Sequence, residues 1–270
     1  MKTAPRHTGF TLIEMLLVIA IVGILAGITL PTIGNMRGAD TILATTRQLQ
    51  DDVQRARQYA ISQRTTVYMV FCPASFWGGT SAAAYGALTP AEKTKADRLF
   101  GKQLNSYAFV ALRSVGEQPG QNSPRYLSNW KTLPEGAIIA NWKFNPRNSF
   151  TRVFDPPLPA LPTDRTFDVY GFEVTNNIPF PSTDTAVTGG PYVWLPYIAF
   201  NHQGQLLSGQ DEFIPVTKGS VNYPRDANRV ATQNPPSITE TKPGDSTNAF
   251  VLIRIDWLTG RARVEKQEFK

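Results

Sequence analysis

Apolar residues run almost unbroken from Phe10 to Ile33, and Glu14 is the single charge in these 24 positions. At about 1.5 Å of rise per residue, a helix of this length crosses a bilayer core of roughly 30 Å. A lone carboxylate in such a helix is costly and calls for a partner. Beyond the run the pattern becomes amphipathic. Between Ala39 and Gln63, Ile42, Thr46, Leu49, Val53, Ala56 and Ala60 recur at steps of three and four, which predicts a helix with one stripe facing a sheet. Arg47, Asp51, Asp52, Arg55 and Arg57 fall on its other faces, with Asp51 and Arg55 spaced as an i,i+4 pair. Pro31 has no N–H for its helical turn, and Gly27, Gly34 and Gly38 weaken the same stretch, so a kink is expected at Pro31, with a gentle bend as the alternative. As one rod, Phe10–Gln63 would reach about 80 Å.

After Arg64 the pattern turns to strands. Thr65–Phe71 is β-branched and aromatic and ends at Cys72-Pro73, with Cys72 expected as a small buried apolar residue. Residues 76–100 read as an insertion. It opens with Gly78-Gly79-Thr80-Ser81 and holds a short helix from Thr89 to Leu99, capped by Thr89 with Pro90 first and Glu92 third. Ser106–Ser114 is a strand with apolar residues on both faces. Gly116–Pro124 is a loop, and Arg125–Trp130 and Ala137–Trp142 are strands around the turn Leu133-Pro134-Glu135-Gly136. Residues 143–164, rich in Asn and Pro, read as an irregular surface excursion. Phe167–Thr175 and Tyr192–Phe200 are strands, Asn176–Gly190 is a loop, and Gly204 makes a turn. Lys218–Thr247, with four prolines, reads as one long loop; Ala249–Asp256 and Arg261–Lys266 close the chain as a hairpin. The expected fold class is α+β: a long N-terminal helix, transmembrane and then amphipathic, packed on an antiparallel β-sheet head with long loop insertions.

Composition narrows the chemistry. With 270 residues, 41% hydrophobic and 18% charged, the chain can build a full core. The net charge of +6 includes Lys2 and Arg6, too mild an excess to argue for nucleic acid by itself. Those two cations precede the apolar run and place the N terminus in the cytoplasm and the head outside the cytoplasmic membrane. A secretory signal reading, with Met15–Leu30 as its apolar core, lacks a small-x-small site before polar sequence. Cys72 is the only cysteine, so no intrachain disulfide forms. His7 and His202 do not make a metal cluster; no metal and no cofactor is expected. Asp211-Glu212 could offer calcium oxygens, but reads as an exposed acidic pair in a loop. The phosphate-binding Gly-Lys-Ser/Thr pattern and the Gly-x-Ser-x-Gly elbow are both absent from the sequence. A membrane-anchored periplasmic hydrolase, the enzymatic alternative, would need a catalytic constellation that these residues do not assemble.

The stretch Gly9-Phe10-Thr11-Leu12-Ile13-Glu14 resembles the processing site of type IV pilins and type II secretion pseudopilins. The resemblance implies a leader at 1–9, cleavage between Gly9 and Phe10, N-methylation of Phe10, and a filament-core helix at 10–33. Residues 34–64 would join it to a periplasmic head at 65–270. Pro31 falls where the family often has a helix-breaking proline. Glu14 would meet the Phe10 amine of a neighbouring subunit during filament assembly. The stretches Gln58-Tyr59-Ala60-Ile61-Ser62-Gln63-Arg64-Thr65-Thr66-Val67 and Ile198-Ala199-Phe200-Asn201-His202-Gln203-Gly204-Gln205-Leu206 resemble the GspH/FimT branch of minor pseudopilins and pilins, with His202 then a turn residue. The implied function is a non-enzymatic subunit of a type II secretion pseudopilus or a type IV pilus. Its implied partners are other pilins, the prepilin peptidase and methyltransferase, an inner-membrane assembly platform and the lipid bilayer. Some FimT-like pilins bind DNA through a basic Gly-Arg-x-Arg segment, which here would be Arg261 and Arg263 with Lys266 nearby. Because Thr259-Gly260-Arg261 is also an ordinary hairpin turn and Glu265 and Glu268 dilute the charge, the structural reading is preferred and nucleic acid is the alternative.

Overall fold

The computed structural model describes residues 12–74, 82–113, 116–117, 123–154, 166–179, 192–227, 232 and 234–265. It divides into two compact units, Met1–Asp40 and Thr41–Lys270. The architecture is α+β, with an N-terminal helix and antiparallel sheets. Helix α1 (Leu12–Gln63) includes Pro31 and Gly34. In the first unit the described side chains, Leu12 to Leu25, are all exposed. Among the described residues, no helix is long and apolar enough to cross a membrane.

In the second unit the amphipathic stripe is buried as its spacing predicts. Thr46, Leu49, Val53, Ala56 and Ala60 are enclosed, and Ile42 packs against them. The Thr45 and Thr46 hydroxyls donate back to the Thr41 and Leu43 carbonyls at 2.7 and 3.0 Å, which lets polar side chains sit inside. α1 ends at Arg64, in the left-handed region at φ 51°. Arg64 N donates to Ile61 O at 3.3 Å and Thr65 N to Ala60 O at 3.2 Å, the pair of bonds that closes a helix and turns the chain.

That turn feeds β1 (Val67–Phe71), which pairs antiparallel with β2 (Ser106–Ala111) and β10 (Tyr197–Phe200). β3 (Arg125–Tyr126) and β4 (Lys131–Thr132) complete this sheet along β2. The second sheet is ordered β12 (Ser237–Glu240), β11 (Glu212–Asn222), β13 (Val251–Ile255), β14 (Ala262–Glu265), with β5 (Ala137–Ile139) also on β11. The main core gathers the α1 stripe, Met69, Phe71, Tyr107 and Phe109 of the first sheet, and Ile214, Val216, Ile253 and Ile255 of the second.

The two-sided apolar run of β2 is explained by what covers its other face. Ala108 and Val110 meet Tyr68 and Val70 in a second cluster, together with Leu88, Ala96, Leu99 and Phe100 of the 76–100 insertion. The insertion holds α2 (Ala82–Gly86) and α3 (Pro90–Asp97). α3 begins with the capping box read from the sequence: Thr89 accepts from Glu92 N, and the Glu92 carboxylate accepts from Thr89 N at 2.9 Å. The insertion is therefore a lid on one sheet face. Cys72 is buried there, and burial pushes its thiol far above the ordinary value, which disfavours the thiolate.

Several expected boundaries shift. Arg125–Trp130 is a strand only over its first two residues, and Ala137–Trp142 gives way after Ile139 to a 3-10 turn at Asn141–Phe144. The excursion at 143–164 contains β6 (Phe150–Phe154), paired with β7 (Thr166–Tyr170); Asp155-Pro156-Pro157 lies outside the described residues. Asn176–Gly190 contains β8 (Asn177–Pro179), paired with β9 (Tyr192–Trp194). Tyr192–Phe200 is thus two strands in two sheets, parted at Leu195-Pro196. The stretch 218–247 holds the end of β11, all of β12 and α4 (Asp245–Asn248). β11 is the longest described strand, although it contains Pro215 and Gly219. The Pro215 carbonyl accepts from Ala140 N at 3.0 Å, so its nitrogen faces the same flank, one residue beyond the β5 ladder, where no donor is required. Gly219 lies under Ile138, against whose side chain a Cβ would press.

Candidate functional site

Gly9, Phe10 and Lys266 lie outside the described residues. Glu14 is in the first turn of α1, where the helix dipole favours a negative charge. Around it, eleven large apolar side chains from Leu12 to Leu25 are exposed, with Leu12 at 83% and Ile19 at 71%. Exposure is not confined to one stripe. A helix apolar on every side is stable only in apolar surroundings. At about 1.5–3 kcal/mol per covered side chain, enclosing this segment supplies a driving force on the order of 20 kcal/mol.

The C-terminal hairpin pairs Arg254 with Arg263 directly across β13 and β14. Like charges opposite each other repel. Arg254 is neutralised by Asp211, with Nε to Oδ2 at 2.7 Å, and by Glu265 at 3.1 Å. Arg261 and Arg263 are exposed, while Ala262 and Val264 turn to the core. At the turn, the Asp256 carboxylate accepts from Thr259 N and Oγ1, both at 2.7 Å, and these bonds hold it below the usual aspartate range. Gly260 has φ 62°, and a Cβ there would collide with the Gly204 carbonyl. Arg57 Nε donates to Thr259 O at 2.7 Å, so the tip of the hairpin is fastened to α1. His202 is exposed on the Asn201–Gly204 turn, which the Asn201 side chain closes by accepting from Gln203 N and Gln205 N at 2.9 and 3.0 Å.

The acidic pair is not an exposed loop pair. Asp211 accepts from Arg254 and from Trp257 N at 2.9 Å. Glu212 opens β11, is buried, and binds Arg147 and the buried Lys143, the latter at 3.2 Å. Lys143 also donates to Tyr170 O at 2.7 Å and stands over the Phe172 ring at 4.6 Å. Burial pulls the Lys143 ammonium below the ordinary lysine value, and Glu212 opposes that pull. With these oxygens engaged by cations and amides, the calcium reading of the pair falls. Among the described residues no group of three or more His, Cys, Asp or Glu could hold a metal ion. Asp52 is a second buried carboxylate that periodicity assigned to an outer face. It accepts from Tyr107 Oη at 2.6 Å and from Lys131, and it, not Asp51, pairs with Arg55, at 3.6 Å.

The N-terminal stretch carries the one family signal found in the chain. Residues 5–30 match the family model of the prokaryotic N-terminal methylation motif. This is the signal of type IV pilin-like subunits that are processed by a prepilin peptidase. It spans Gly9, Phe10 and Glu14 and most of the apolar run. No curated protein and no solved structure matches the chain.

Proposed function

We propose that the protein is a minor, non-enzymatic subunit of a type IV pilus or a type II secretion pseudopilus. The carrying observation is the methylation motif at 5–30, together with the exposed and, Glu14 apart, largely apolar side chains of Leu12–Leu25. In this reading the prepilin peptidase cleaves after Gly9 and Phe10 is methylated. Residues 10–33 anchor the subunit in the inner membrane with the head in the periplasm. An assembly platform then draws the helix into the filament core, where neighbouring helices replace lipid around Leu12–Leu25. Glu14 pairs there with the Phe10 amine of the adjacent subunit, a charge pair that sets register more than stability. Pro31 and its flanking glycines allow the helix to bend as it leaves the membrane. A β-rich head with a helix stripe at its centre supports the GspH/FimT-like branch. The test is the intact mass of the protein purified from membranes of a host with a prepilin peptidase. It should show loss of the first nine residues and one added methyl group on Phe10. An unprocessed mass in the presence of active peptidase would refute the reading.

One observation favours a second role. Arg261 and Arg263 are exposed on one strand face, and Glu265, whose charge would offset them, is engaged with Arg254. Two exposed guanidinium groups at i,i+2 suit successive phosphates, although Arg263 also feels the Asp256 carboxylate at the turn, so the hairpin is a candidate DNA contact for an uptake pilin.

A further inference from the structure

A cleft of about 650 Å³ opens beside the second sheet. Its walls include Asn141, Trp142, Asn145, Thr239, Glu240 and Ser246. Trp142 is held rigidly. Its Nε1 donates to Ser246 O at 2.8 Å, and its ring meets Phe250 edge-on at 5.7 Å. The backbone of Asn145 is equally constrained: Gly171 packs so close to its carbonyl that any Cβ would collide. Glu240 accepts from Gly244 N at 2.7 Å and from the amides of Asp245 and Ser246 and the Ser246 hydroxyl, and these bonds keep it ionised and in place. The Asn141 and Asn145 side chains are exposed.

The chemistry of this wall selects a ligand class. Among the described residues it carries no lysine, arginine or histidine and one carboxylate, so it offers no cationic group to an anion such as nucleic acid or phosphate. That carboxylate is already engaged by several donors and is a poor lone site for a cation. What remains is a fixed indole with two exposed amides, the Thr239 hydroxyl and the apolar Ile238 and Pro243 around it. Such a surface suits a ligand with flat carbon–hydrogen faces and many hydroxyls, and the volume is that of a small-molecule site. We propose that this cleft binds a neutral oligosaccharide, stacked at Trp142 and hydrogen-bonded by Asn141 and Asn145. This stands independently of filament assembly.

The experiment uses the full chain in a sugar-free zwitterionic detergent, with cellotriose, maltotriose and chitotriose as probes and saturation-transfer NMR as the readout. Transfer to at least one trisaccharide is expected, with affinity about tenfold weaker in Asn145→Ala, one lost oriented contact. Asn145 is exposed, so that variant keeps its fold, which circular dichroism verifies. Trp142→Phe keeps an aromatic ring beside Phe250 and should also weaken binding about tenfold. The proposal is overturned if no trisaccharide shows transfer at about 10 mM. It is also overturned if both variants bind as tightly as the parent, or if a neutral tripeptide binds more tightly than all three sugars.

Discussion

At the scale of single residues, the buried carboxylates hold most of what is unusual in the head. Asp52 lies on α1 with its side chain 5% exposed, yet it faces Tyr107 and Lys131 rather than solvent. Removing it leaves a Tyr107 hydroxyl that still receives the Gln48 amide at 3.0 Å, and a Lys131 that is 26% exposed and rehydrates. The loss is therefore smaller than for a fully enclosed pair. Asp52→Ala should destabilise the protein by about 2–3 kcal/mol, against less than about 0.5 kcal/mol for the exposed Asp51→Ala. Urea denaturation of the two variants measures the difference, and equal effects would contradict the burial argument. The periodicity of α1 showed its apolar stripe. It could not tell which of two adjacent aspartates a distant tyrosine and lysine would enclose, because both partners lie far along the chain.

At the scale of elements, the C-terminal hairpin joins packing to charge. Its inner face is Ala262 and Val264, its turn is pinned by Asp256, Gly260 and Arg57, and its outer face presents Arg261 and Arg263. Replacing both arginines with alanine leaves the inner face and turn intact, so it changes charge without changing fold. If the hairpin contacts DNA, the full chain in detergent binds duplex DNA in a salt-dependent way. The Arg261→Ala/Arg263→Ala variant then loses most of that binding, with the slope against log salt falling by about 2. Fluorescence anisotropy at several salt concentrations reads both. Absence of binding at low salt would retire the DNA role and leave the hairpin as an edge of the sheet. The hairpin, the Thr89 cap and the Gly204 turn were legible because short-range chemistry specifies them. β11 was not legible, because a proline and a glycine masked a strand whose pairing with three other strands is entirely long-range.

At the scale of the molecule, the chain combines a head that satisfies its own core with an apolar N-terminal segment that does not. The head encloses its apolar residues in clusters on both faces of the first sheet. The large apolar side chains of Leu12–Leu25 are exposed, and in the proposed function lipid or neighbouring helices would enclose them. In the proposed filament, Glu14 would be the residue that distinguishes lipid anchoring from assembly. Glu14→Ala should leave peptidase processing and membrane retention intact and reduce the protein recovered in sheared filaments by at least about tenfold, since only the assembled state presents a partner amine. Immunoblots of membrane and sheared fractions test this, and normal recovery in filaments would overturn the role given to Glu14.

The sequence by itself determined the N-terminal motif, the buried stripe of α1, the two-faced strand β2 and the turns at Gly136, Gly204 and Gly260. Each rests on neighbours in the chain or on a repeating period, which the order of residues contains. Tertiary structure alone decided that the 76–100 insertion is a lid, and that Glu212 and Lys143 neutralise each other inside. It also decided that Trp142 and Glu240 share a cleft, and that the stretches read as loops at 143–164 and 218–247 supply strands. These depend on contacts between distant segments, whose free energy comes from burial and pairing that local preference does not encode.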